Sequence, residues 1–141
     1  MRRLAVMVLL LAGVPAAVLA QGGSLFIVGG GPRPAELMGR FVELAGGPGK
    51  AVILVLPMAS ADSNAGPALV RELQALGATA RYAVIGREQA DSPAALQHLE
   101  GITGIWFNGG VQSRLTAALG GSRFEQGMHA AYQTGAVIGG T

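Results

Sequence analysis

The chain of 141 residues contains no cysteine, which excludes disulfides, thiolate metal sites and a cysteine nucleophile within it. Histidine is scarce: His98 and His129 are the only two, and neither stands at a ligand spacing from the other or from a carboxylate. No metal is expected. Charge is thin as well, with 13% charged residues and a formal net charge of +2. Setting aside Arg2 and Arg3 leaves eight basic residues against eight acidic ones, so there is no electrostatic footprint for nucleic acid and no such partner is expected. A full dinucleotide fingerprint is also missing. Gly29 and Gly31 fit the first two glycines of G-x-G-x-x-G, but Pro34 takes the place of the third, and the second strand runs into Leu56-Pro57-Met58 where a ribose-binding acid belongs. The better reading of Gly29-Gly30-Gly31 is a tight turn that permits close strand-to-strand approach.

What is present begins with a leader. Arg2-Arg3, the apolar run from Leu4 to Val14, and Val18 and Ala20 at the −3 and −1 places make a secretory signal over residues 1–20, cleaved after Ala20. Gly13 and Pro15 interrupt the run well short of the roughly 20 apolar residues that a membrane span needs. The expected location is therefore secreted or periplasmic, with no membrane attachment after cleavage. A chain of 141 residues with 50% hydrophobic composition can fill one core but not two, and that core is assigned to residues 21–141. There is no internal repeat and no low-complexity linker.

Strand and helix patterns then alternate. Ser24 to Val28 is a short strand ended by glycines, and Pro34 to Leu44 is a helix with Leu37, Phe41, Val42 and Leu44 at helical spacing. Ala51 to Leu56 is continuously apolar, as in a parallel strand covered on both faces. A helix from about Pro67 to Leu76 follows, then a strand over Ala80 to Ile85 and a short helix from Ser92 to Leu99 with Pro93 first. Gly104 to Asn108 is the next strand, Val111 to Leu119 and Ser122 to Thr134 are helices, and Ala136 to Ile138 is a last strand entering a turn at Gly139-Gly140-Thr141. This alternation predicts an α/β fold with a doubly wound parallel sheet and helices on both faces. With the last strand followed by no helix, the chain reads as the front part of a longer domain, and a fragment lacking the later strands is expected to leave a sheet edge unpaired.

In such sheets ligands bind outside the carboxyl ends of the strands. Ser60, Asp62 and Asn64 lie at one such end, where they either line a cleft or merely satisfy loop amides and cap the next helix. Phe107-Asn108-Gly109-Gly110-Val111-Gln112 lies at another, and free amides in a glycine turn before a helix can bind an oxyanion. Ile138-Gly139-Gly140-Thr141 is the approach to a nucleophile elbow, whose nucleophile would be the next residue. Ser113 has no visible base nearby and is not a nucleophile candidate.

Four segments in order carry a resemblance: Gly22 to Gly31, Leu56-Pro57-Met58-Ala59-Ser60, Phe107 to Leu115, and Ile138 to Thr141. Together they resemble the cyanophycinase branch of the S51 serine peptidases. The resemblance implies a flavodoxin-like fold related to class I glutamine amidotransferases, and a Ser-His-acid mechanism whose three residues all follow Thr141. The fragment alone is therefore expected to be inactive. It also implies that Gly110 supplies an oxyanion-hole amide, that Gly109 permits close approach, and that Gln112 contacts substrate, with Asn108 and Ser60 beside it and Gly140 and Thr141 leading to the elbow. Neither metal nor organic cofactor is implied. The expected substrates are cyanophycin-like polymers or aspartyl dipeptides, although Val111 replaces an aspartate common in the family and alters the polarity beside the pocket. Related proteins are often dimers, so a homodimer is one expectation for the full-length protein. The competing reading is a non-catalytic amidotransferase-like module that binds a small amino-acid or peptide ligand.

Overall fold

The computed structural model describes residues 22–141, so the leader assigned to Met1–Ala20 lies outside the described residues. The elements are β1 (Leu25–Ile27), α1 (Ala35–Leu44), β2 (Val52–Leu56), α2 (Ala65–Ala75), β3 (Thr79–Tyr82), α3 (Pro93–Gln97), β4 (Gly104–Phe107), α4 (Gln112–Leu119), α5 (Arg123–Gln133) and β5 (Val137–Gly140). Local chemistry sets several boundaries. Ser92 accepts a hydrogen bond from the Ala95 amide at the start of α3, with Pro93 as its first residue. At α5 the Ser122 hydroxyl accepts from the Glu125 amide while the Glu125 carboxylate accepts from the Gly121 amide.

All five strands are parallel, in the order β1-β5-β4-β2-β3. The architecture is α/β and flavodoxin-like, with β1 at the edge beyond β5. Alternation along the strands feeds two cores. Ile53, Val55, Trp106 and Val137 face α1 and α2, while Leu54, Leu56 and Ile105 face α3, α4 and α5. Both faces of β2 are covered, which is why its sequence is an unbroken apolar run. Connections from β2 lead outward to β3, and those from β4 lead the other way to β5.

Three details differ from expectation. Gly139-Gly140 is not a turn: both residues stay in β5, in register with Phe26 and Ile27 of β1 and with Trp106 and Phe107 of β4. Ladder bonds on both sides override the weak strand preference of glycine. The third strand, expected over Ala80 to Ile85, runs over Thr79–Tyr82, and β5 is paired on both sides, so the edges among the described residues are β1 and β3. The inward face of α1 is Met38, Phe41 and Val42, whereas Leu44 is exposed in the last turn.

Gly139 packs under aromatic rings. A Cβ there would come within 2.7 Å of Phe41 Cε2 and 2.9 Å of Trp106 Cε3. Both rings are fully buried and pack edge to face, so neither can swing aside. Gly139→Ala is expected to lower the unfolding free energy by about 1–3 kcal/mol in denaturant titration, the usual cost of overpacking.

Candidate functional site

The turn after β4 is held by the loop after β2. The Asn108 amide donates to Leu56 O at 3.2 Å, continuing the strand, and the Val111 amide donates to Ala59 O at 2.9 Å. Between them Gly110 has φ +142°, and a Cβ on it would lie 2.2 Å from Ala59 O. Only glycine fits there, on grounds of both conformation and space. From α4, the Arg114 guanidinium donates to Ser60 O at 3.3 Å and ties the two loops again. The amides of Gly109 and Gly110 have no acceptor among the described residues, and they stand just before the first turn of α4. Fixed donors at this end of a helix suit an anionic or developing negative oxygen.

Three strand ends enclose a cleft of about 500 Å³. Asn108, Gly109, Gly110 and Gln112 come from the β4 side, Thr141 from the end of β5, and Gly30, Gly31 and Arg33 from the loop after β1. Gly109 lies close to Thr141, since a Cβ on it would be 2.7 Å from Thr141 Oγ1. The Asn108 side chain is buried, with Nδ2 donating to Ala65 O at 3.3 Å and Oδ1 left without a partner. Arg33 is the charged residue of the lining. It has an ion pair with Glu72 at 3.8 Å, and its guanidinium lies 5.8 Å from the centroid of the Trp106 ring.

Five of the residues singled out in the sequence, Asn108, Gly109, Gly110, Gln112 and Thr141, thus share one cleft. Gly140 lies beneath it within β5. Ser60 does not line it: its side chain faces a neighbouring hollow of about 440 Å³ shared with Asp62 and Tyr82. There the Ser60 hydroxyl accepts from the Asp62 amide, and Asp62 Oδ1 accepts from the Asn64 amide. Those side chains satisfy their own loop. Ser113 is exposed on α4. His98 and His129 line separate hollows away from the cleft, and no cluster of three metal-ligating side chains occurs among the described residues.

Sequence reasoning missed Gly30, Gly31 and Arg33. It read Gly29 to Gly31 as a device for close strand approach, but nothing lies within 4 Å of a Cβ built on any of them, and the loop opens onto the cleft instead. The available signal was Arg33 itself, a lone cation between two prolines at the carboxyl end of a strand.

No family model matches the chain. Among solved structures it is similar to a peptidase from an acI-B1 Actinobacterium, with 26% sequence identity and a TM-score of 0.72. The similarity covers 86% of this chain and 55% of the other, so this chain spans little more than half the length of that peptidase.

The two kinds of glycine are separable by substitution. Gly110→Ala should lower the unfolding free energy by about 1–3 kcal/mol, through strain against Ala59. Gly29→Ala, in open space and without a left-handed φ, should stay within about 0.5 kcal/mol of the parent in thermal or denaturant unfolding.

Proposed function

We propose that the full-length protein is a serine-type peptidase of the cyanophycinase-like S51 kind, acting on cyanophycin-like polymers or aspartyl dipeptides. The observation that carries this reading is the pair of uncommitted amides at Gly109 and Gly110 beside Thr141, in a cleft at the strand ends. Similarity to a solved peptidase supports it.

In this reading a serine after Thr141 attacks the scissile carbonyl and passes its proton to a histidine, which returns it to the leaving amine. Water then hydrolyses the acyl-enzyme by the same route. Gly110 N–H, with the amide following the serine, stabilises the oxyanion. Gly109 keeps that wall of the cleft free of a side chain. Gln112 and Asn108 contact the substrate, and Ser60 supports the turn through its carbonyl, which accepts from Arg114 of α4.

The test is to incubate the full-length protein with β-aspartyl-arginine, cyanophycin and α-aspartyl dipeptides and to follow released amino acids or dipeptides by mass spectrometry. Release, abolished by a serine-directed fluorophosphonate, supports the reading. Binding of these compounds without release would replace it with a non-catalytic module. Gln112 is exposed, so Gln112→Ala should leave the melting temperature unchanged while lowering kcat/KM roughly tenfold, as expected for one lost substrate hydrogen bond.

A further inference from the structure

The cleft pairs hydrogen-bond donors with one cation, and Arg33 has no role in the chemistry described so far. Its guanidinium makes no hydrogen bond to any described residue. The ion pair to Glu72, at 3.8 Å, is longer than a hydrogen bond and partly open to water, with side-chain exposures of 26% and 33%. Its planar donor fork is thus uncommitted while its position is defined, by the Trp106 face at 5.8 Å on one side and by Glu72 on another. No acidic residue lines the cleft to neutralise it. Beside it the Gly109 and Gly110 amides also lack an acceptor among the described residues and line the same cleft.

We propose that Arg33 is the specificity residue of this cleft and holds a carboxylate of the ligand through its guanidinium fork. This deepens the peptidase reading and rests on it for the identity of the substrate. A carboxylate is the planar anion that matches the fork, and charge-assisted pairing there would exceed what the distant, partly solvated Glu72 gives. The Gly109 and Gly110 amides donate to a carbonyl oxygen of the same ligand, so the cleft selects a molecule with a carboxylate near an amide. Two sources offer that chemistry: an acidic side chain, or the carboxylate at a peptide's C-terminus.

Calorimetric titration of the full-length protein distinguishes them with three probes of nearly equal size. N-acetyl-aspartate α-amide has only the side-chain carboxylate, N-acetyl-asparagine only the terminal one, and N-acetyl-asparagine amide has neither. At least one of the first two should bind roughly ten- to a hundredfold more tightly than the third, the range of a charge-assisted hydrogen-bonded pair. Arg33→Gln should abolish that preference, and Arg33→Lys, which keeps the charge but not the fork, should retain part of it. The lysine variant also decides the matter if the glutamine variant fails to fold. Equal affinity for all three probes, no binding of any, or a preference that survives in Arg33→Gln overturns the assignment. Turnover is scored separately: carboxylate preference without hydrolysis would remove the peptidase reading and leave Arg33 in its role, whereas hydrolysis with no charge preference would do the reverse.

Discussion

The close approach of β5 to both of its neighbours is the constraint on which the rest of the structure depends. Gly139 lies between Phe26 of β1 and Trp106 of β4, and Gly140 lies between Ile27 and Phe107. The Phe41 and Trp106 rings occupy the space that Gly139 leaves, while Gly140 sits against Phe107 O and Cβ. Phe26 and Trp106 approach across Gly139 to 6.3 Å between ring centroids, and Phe41 from α1 closes the cluster at 4.9 Å from Trp106. With side chains on β5 these rings could not meet, and the sheet would have to splay. Because it does not, the ends of β1, β5 and β4 stand side by side, and one cleft has walls from all three.

That cluster also connects the core to the site. Trp106 is fully buried, yet one ring face is close enough to Arg33 for cation–π attraction, about 0.5–1 kcal/mol or more where water is partly excluded. The cleft's cation is therefore placed by a core residue and not only by its own loop. Asn108 and the Gly110 turn are similarly placed, by a strand and by the backbone of the β2 loop. Function-bearing groups sit on loops here, but each loop is anchored within a residue or two of a buried contact. A nearly neutral chain can still present an electropositive cleft, because uncommitted amides and a single guanidinium decide the local field.

The sequence disclosed those features that depend on neighbours along the chain. The continuous run of β2 announced burial on both faces, Ser92 followed by Pro93 marked the start of α3, and the glycine pair after β4 marked the turn. Strand order was not legible, because β1 reaches its partner β5 across more than a hundred residues and no periodicity records which strands pair. The glycines of β5 looked like a turn for the same reason: glycine weakens an isolated strand, and only the two partner ladders show why it is required. Among site residues, the cluster from Asn108 to Gln112 was legible as a local motif. Arg33 was not, since a cation after a glycine loop acquires meaning only when the fold brings it opposite another strand's end. Ser60 illustrates the converse, a hydroxyl in a promising position whose hydrogen bond goes to its own loop.

Asn108 marks the point where the sheet gives way to the cleft. A buried carbonyl oxygen without a partner costs about 1–3 kcal/mol, and Ile105 and Trp106, earlier in the same strand, show that large apolar side chains pack well in this part of the sheet. An asparagine kept at such a position is unfavourable for stability alone. What the residue supplies is its Nδ2, which donates to Ala65 O and ties the end of β4 to the start of α2. The uncommitted N–H groups are those of Gly109 and Gly110, which open onto the cleft with Gln112 and Thr141. Donors fixed along a turn meet an acceptor oxygen without reorganising, and that is the property a site for developing negative charge requires.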